Sequence, residues 1–110
     1  MNNLIYLIGR LVRTPEIKQI SEEKKVSNIT IAVPRTYKNE NGNYETDFFD
    51  CILWNGIAET TSNYCKQGDL IGVKGRLQSR IKEDSEGNKR YIIEIVAEKI
   101  SFLSSKRTDE

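Results

Sequence analysis

The fold is decided by the stretch Thr46-Asp-Phe-Phe-Asp-Cys-Ile-Leu-Trp54 and by the segment that follows it. Alternate residues of a strand project to opposite faces, and here one parity holds Phe49, Cys51 and Leu53. From Asn55 to Lys66 the period becomes helical, with one face formed by Ile57, Ala58, Thr61, Tyr64 and Cys65. Gly68 lies just past this segment, where a helix C-cap is expected. The stretch therefore predicts a strand that passes directly into a helix.

Two strand patterns precede this unit. Leu4 to Val12 is an almost continuous apolar run, typical of a strand buried on both faces, and Gly9 within it indicates a bend or bulge. We expect Glu16 to Ile20 to prolong this strand after the break at the proline. Val26 to Val33 alternates between apolar and polar residues, and Pro34 is predicted to end it.

Two hairpins complete the pattern. Asn41-Gly42, between Tyr37 and Glu45, is a strong turn signal. After the helix, Asp69 to Lys82 is interpreted as a long strand, Glu83 to Lys89 as a polar loop and Arg90 to Leu103 as the last strand. Three strands, one helix and two strands make an all-β chain in the order of an OB-fold, a five-stranded Greek-key barrel. We expect one domain over residues 1–103 and a short polar tail over residues 104–110.

Composition excludes several classes of site. The 110 residues include no His, which removes imidazole bases and ligands, and only two cysteines, which form no Cys-x-x-Cys pair. Cys51 and Cys65 both fall on apolar faces, so small buried hydrophobes are their expected role. We expect no cofactor, no metal and no catalytic site. The N-terminus shows no signal peptide or membrane segment, which predicts a cytoplasmic protein.

The net charge of +1, from 17 basic and 16 acidic residues, argues weakly against a polyanion partner. The charges are unevenly placed, however, because Lys66 to Lys82 holds five basic residues and one acidic residue, a local balance of +4. Local attraction of this kind predicts binding that fades quickly with salt.

Within this segment, strand alternation projects one row of polar side chains to a single face: Lys74, Arg76, Gln78, Arg80 and Lys82. The opposite row, predicted to face the core, is Val73, Gly75, Leu77 and Ile81. Cations about 7 Å apart roughly match the phosphate repeat of an extended single strand. A solvated strand face is the alternative, but such faces usually mix both signs. We favour the binding interpretation.

Five of the nine aromatic residues divide into three groups. Tyr37 lies in the polar hairpin beside Arg35 and Lys38, where stacking on nucleobases, worth about 1–3 kcal/mol per base, is the better interpretation. Phe49 and Tyr91 are expected to pack in the core. Periodicity alone leaves Phe48 and Trp54 open, since only one of the two strand faces can be core.

An ordered series of motifs resembles the bacterial single-stranded DNA-binding protein family over residues 2 to 103. Its early landmarks are Asn3-Leu-Ile-Tyr-Leu-Ile-Gly-Arg-Leu11, Thr14-Pro-Glu16 and Asn28-Ile-Thr-Ile-Ala32. The later ones are Thr46 to Trp54, Ala58-Glu59, Tyr64 to Gly68, Gly75-Arg-Leu-Gln-Ser-Arg80 and the arm from Gly87 to Glu94.

The resemblance implies a nucleoid-associated OB-fold protein that assembles as a homotetramer, with the N-terminal strand contributing to a dimer interface. It also implies binding of single-stranded DNA with little sequence preference, in replication, recombination or repair, without enzymatic activity. Family stacking positions match Tyr37, Phe48 and Trp54, and family basic positions match Lys18, Lys38 and Arg80. The remaining candidate DNA contacts come from the strand pattern and are Arg35, Lys74, Arg76 and Lys82.

Three departures from the family pattern stand out. Lys82 replaces a stacking aromatic of many relatives, and Leu4 replaces a basic residue. The chain ends at Thr108-Asp109-Glu110, without the acidic tip that recruits replication and repair proteins, so such partners are left open. Two rival functions are an adaptor that uses the basic face for docking and a small nuclease. The sequence has neither the His residues nor the clustered metal ligands that a nuclease would use.

Overall fold

The computed structural model describes residues 1–106, which form six strands and one helix. The elements are β1 (Ile5–Leu11), β2 (Lys18–Gln19), β3 (Lys25–Lys38), β4 (Tyr44–Trp54), α1 (Asn55–Tyr64), β5 (Leu70–Glu83) and β6 (Lys89–Ser104). The predicted tail lies mostly beyond the described residues, as does the predicted lack of an acidic tip.

The strands close into a barrel. Their order is β1-β5-β6-β4-β3-β2, and β1 also pairs with β3 through Arg10↔Ala32 and Leu11↔Ile31. All pairs are antiparallel except β4 with β6, and α1 connects β4 to β5. Five long strands in this arrangement, with one helix after the third of them, form the expected OB-fold, which is confirmed.

The barrel interior is filled by inward-facing residues of all five long strands. Leu11, Ile31, Leu53, Ile71 and Val73 are buried. Both cysteines belong to this core, as predicted. Burial raises the pKa of Cys51 to about 11 and raises that of Cys65, so both thiols stay protonated and neutral.

Several strand boundaries differ from the predictions for local reasons. β2 does not prolong β1 but pairs with β3, through Lys18↔Val26. Pro34 does not end β3, because the strand continues past an irregularity to the pair Lys38↔Tyr44. Proline is tolerated where pairing is irregular. The helix ends at Tyr64, two residues early, where the Cys65 N–H donates to the Thr61 carbonyl.

Two hairpins project from the barrel, and the longer one, residues 78–94 of β5 and β6, is called the arm. Within residues 1–106, pairing of β4 with β6 is limited to Cys51↔Ile95 and Ile52↔Val96, so there the arm is supported only by its own two strands. The predicted core positions on it are therefore wrong. Leu77 at its root, Ile81 and Tyr91 are 42%, 55% and 79% exposed.

The first strand is also less buried than predicted. Its inner face contributes Leu11 to the core, but Leu4, Tyr6 and Ile8 are 67%, 54% and 48% exposed. One face of β1 therefore packs against the barrel core, and the opposite face leaves an uncovered apolar strip of Leu4, Tyr6 and Ile8. Within a single chain, the prediction of burial on both faces is wrong.

Candidate nucleic-acid interface

The outer face of the β3–β4 pair holds two of the predicted stacking residues. Residues opposite each other in an antiparallel pair project to the same face. Phe48 lies opposite Ala32, and Trp54 lies opposite Val26. Phe48 and Trp54 are 64% and 39% exposed, whereas Phe49 packs against the core. The structure thus resolves the question that periodicity left open: the parity of Phe48 and Trp54 faces solvent.

A hydrogen-bonded polar group lies between these two aromatic residues. The Thr30 hydroxyl donates to Asp50 Oδ1 at 2.5 Å, and Arg13 Nη2 donates to Thr30 Oγ1 at 3.0 Å. Arg13 was not among the predicted contacts, because it follows the first strand in a stretch with no recognisable pattern. It places a cation on the same outer face.

A groove of about 350 Å³ separates this face from the arm. Asn28, Asp50 and Ile52 line one wall, together with Thr30 and Arg13, and Ile92, Ile93 and Glu94 line the other. Arg80 borders the groove through its Nε, which donates to Glu94 Oε1 at 2.8 Å. The arm therefore forms one wall of the cleft beside the aromatic face.

The tip of the β3–β4 hairpin carries further exposed groups. Tyr37 is 64% exposed and lies in the irregular stretch before Lys38, so strand alternation does not fix its face. Lys38 Nζ lies 5.7 Å from the centre of the Tyr44 ring. Tyr44, 60% exposed and on the parity of Phe48, is an aromatic candidate that sequence reasoning missed, although its position next to the Asn-Gly turn was visible.

Arg35 is bound by two carboxylates. Its Nε and Nη2 donate to Asp47 at 3.0 and 2.9 Å, and its Nη1 donates to Glu45 at 2.5 Å. The hydrogen bonds that Arg35 donates hold the pKa of Asp47 below its usual range, and the Asp47 carboxylate that accepts them raises the pKa of Arg35. Asp47 has the parity of Phe49, so this cluster lies on the face opposite Phe48.

The basic row of β5 divides into two parts. Lys74 lies opposite Tyr6 of β1, so it projects beside the uncovered apolar strip, on a different side of the barrel from Phe48 and Trp54. Arg76 shares that parity at the end of the barrel, whereas Arg80 and Lys82 lie on the arm. The basic residues that the sequence pattern placed in one row therefore lie in two separate places, one on the barrel and one on the arm.

The row is not surrounded by positive charge alone. Acidic residues of the neighbouring strand β6 reach it: Glu98 pairs with Arg76 at 3.5 Å and Glu94 with Arg80 at 2.8 Å. The inferred segregation of charge is thus incomplete, because residues distant in sequence are adjacent across the hairpin. Among residues 1–106, four predicted contacts have no carboxylate within 4 Å: Lys18, Lys38, Lys74 and Lys82.

The ten predicted contacts are therefore only partly brought together. Phe48, Trp54 and Lys18 share the β3–β4 region, since Lys18 pairs with Val26 and Val26 with Trp54. Tyr37 and Lys38 extend it along the hairpin, and Arg80 borders the groove. Lys82 lies further along the arm, and three residues lie on other faces: Arg35, Lys74 and Arg76.

Residues 1–106 contain no group of three or more Cys, Asp or Glu side chains that could hold a metal ion. Over the same residues, no helix has the length and apolar character needed to cross a bilayer.

Comparison with known proteins identifies the family. Residues 1–103 match the Single-strand binding protein family. The chain is 40% identical over 106 residues to Single-stranded DNA-binding protein B of Bacillus subtilis (strain 168), covering 96% of this chain and 94% of that protein. It is 41% identical over 106 residues to the Single-stranded DNA-binding protein of Oceanobacillus iheyensis, covering 96% and 66% of the two chains.

A third relative, the Single-stranded DNA-binding protein of Enterococcus faecalis, is 38% identical over 110 residues, which cover all of this chain and 58% of that one. The chain thus spans nearly all of the first relative and about two thirds or less of the other two. The resemblance predicted from sequence motifs is confirmed, and the chain belongs to the single-strand binding protein family.

Proposed function

We propose that this protein binds single-stranded DNA with little sequence preference and protects it during replication, recombination or repair. The observation that carries the proposal is the pair of exposed aromatic side chains on the outer face of β4, Phe48 and Trp54. They lie six residues apart, a separation of about 20 Å along the strand. Aromatic faces accept any base, because every base has a π-face, so such a pair favours binding without sequence readout.

The family and the names of the relatives support this ligand. The family consists of DNA-binding proteins that are not enzymes, and this chain belongs to it. The groove beside the aromatic face offers single-stranded DNA a path between the barrel and the arm. We assign the binding activity to residues 1–103 and infer that the protein works in the cytoplasm, where its DNA substrate lies.

Phosphate contacts are assigned to two kinds of basic residue. Four of the predicted contacts are lysines without a carboxylate partner among residues 1–106, and they are ready to neutralise phosphates: Lys18, Lys38, Lys74 and Lys82. Arg35, Arg76 and Arg80 must first exchange a carboxylate for a phosphate. Because these cations lie on several sides of the barrel, a DNA strand that contacts all of them must wrap around the protein.

We also propose that the protein forms a homotetramer and that β1 takes part in the contact. The uncovered apolar strip of Leu4, Tyr6 and Ile8 supports this proposal. Large exposed apolar patches on small proteins mark interaction surfaces.

The stacking assignment is tested with the double variant Tyr37→Ala, Trp54→Ala. Each stacked base is worth about 1–3 kcal/mol, so the variant should bind oligo-dT at least about tenfold more weakly in fluorescence anisotropy with labelled DNA. Tyr64→Ala is the matched control, because Tyr64 is also exposed, at 76%, but lies on α1. Equal affinities for the double variant and the control would show that the aromatic face is not the binding site.

A further inference from the structure

Asn3, which precedes β1, contacts the backbone of β5 through its side chain. β1 and β5 pair in one register, from Arg10↔Leu70 to Ile5↔Gly75, and β1 begins at Ile5. Continued by two residues, the same register places Asn3 opposite Leu77. The backbone ladder has stopped at this point, but a side chain takes its place.

The Asn3 amide makes both bonds that a strand residue would make. Its Nδ2 donates to the Leu77 carbonyl at 2.6 Å, and its Oδ1 accepts from the Leu77 N–H at 2.9 Å. A side-chain amide carries the same donor and acceptor as a peptide group. Asn3 therefore adds one further rung to the β1–β5 ladder and satisfies an edge residue of β5 that β1 no longer reaches.

This rung lies at the root of the arm. Leu77 pairs with Ile95, and Ile95 is opposite Cys51, where the pairing of β6 with β4 begins. Beyond this level, the described part of the chain gives the arm no neighbouring strand on either side. A register shift between Lys74 and Gly75 lies just below it, which makes the β5–β6 ladder locally irregular. Without the bonds from Asn3, support for the outer edge of β5 would end at Gly75.

We propose that Asn3 is a positioning residue that sets the angle of the arm and thereby the width of the binding groove. The inference rests on the proposed binding of single-stranded DNA. The arm supplies one wall of the groove, through Ile92, Ile93 and Glu94, and also holds Arg80 and Lys82. Asn3 lines no part of the groove, so it acts on bound DNA only through the arm.

The first test measures the hydrogen bond of Asn3 at the root of the arm, without DNA. In Asn3→Ala, the amide hydrogen of Leu77 should exchange with solvent at least about tenfold faster, because its hydrogen-bond acceptor is lost. Asn2→Ala is the control, since the structure shows no side-chain hydrogen bond of Asn2 with the rest of residues 1–106. Unchanged exchange at Leu77 in Asn3→Ala overturns the proposal whether or not the protein binds DNA.

The second test asks whether Asn3 acts through the arm. Asn3→Ala should weaken binding of oligo-dT about three- to tenfold, because the arm that holds Arg80 and Lys82 moves away from the bound DNA. When Asn3→Ala is combined with Lys82→Gln on the arm, the loss of affinity should be smaller than the product of the two single losses. When it is combined with Lys18→Gln on β2, the two losses should multiply. The proposal fails if the losses of affinity multiply in both double variants, because Asn3 then does not act through the arm. It also fails if Asn3→Ala lowers the molar mass in light scattering. Failure of the unaltered protein to bind oligo-dT would instead contradict the proposed function.

Discussion

At the scale of single residues, basic side chains with similar sequence surroundings differ in whether a carboxylate binds them. Lys82 and Arg35 were both predicted to contact phosphate, yet Arg35 is held by Glu45 and Asp47, and Lys82 has no carboxylate within 4 Å among residues 1–106. A phosphate must displace the carboxylates from Arg35, so the gain on binding DNA is smaller there. The available charge of a side chain depends on partners that no local motif contains.

A pair of charge-removing variants tests this difference. Lys82→Gln should weaken binding of oligo-dT and reduce the slope of log affinity against log salt by about 0.7, because one phosphate contact is lost. Arg35→Gln should change the slope less. It should also raise the pKa of Asp47 toward its ordinary value in NMR titration, because the hydrogen bonds from Arg35 are removed. A larger change in slope for Arg35→Gln than for Lys82→Gln would contradict this ranking.

At the scale of elements, alternation predicted which residues share a face but not how deeply each face is buried. The parity of Phe49, Cys51 and Leu53 was visible in sequence and is the core side of β4. Ile81 and Tyr91 show similar local patterns and are exposed, because β6 leaves β4 at Ile95. The end of a pairing is a long-range property, so the sequence of the arm alone could not reveal it.

Gly75 shows the same dependence on distant pairing. A Cβ on this residue would collide with the backbone carbonyl oxygen of Val96, which cannot move as a flexible side chain could. Gly75→Ala should therefore destabilise the barrel by about 1–3 kcal/mol, measured by urea denaturation. Gly56→Ala is the control: its Cβ would meet open space on α1, so it should be neutral or stabilise by up to about 1 kcal/mol. Equal midpoints for the two variants would contradict the close approach of β5 and β6.

At the scale of the whole molecule, the order of strands and the helix was predictable, and the distribution of charge around the barrel was not. The basic residues of β5 meet Glu94 and Glu98 of β6 only after the hairpin folds. The apolar run of β1 was predicted to be buried on both faces, but one face is uncovered in the single chain. The proposed tetramer would bury that face and so account for the pattern.

Assembly is tested at Ile8, which is 48% exposed in the single chain. The unaltered protein should scatter light as four copies of a 12.7 kDa chain, and Ile8→Glu should give a lower mass, because charge is costly in an apolar contact. Ile20→Glu is the control, since Ile20 is 58% exposed in the turn after β2. A single-chain mass for the unaltered protein, or no effect of Ile8→Glu, would contradict assembly through β1.

The most direct measurement uses Trp54, the single tryptophan of the chain, as a probe on the proposed binding face. Titration with oligo-dT should quench its fluorescence to saturation, because a base stacks on the ring, and the midpoint should move to higher DNA concentration as salt increases. Binding detected by anisotropy of labelled DNA, with the emission of Trp54 unchanged throughout the titration, would contradict the outer face of β3–β4 as the DNA-binding surface.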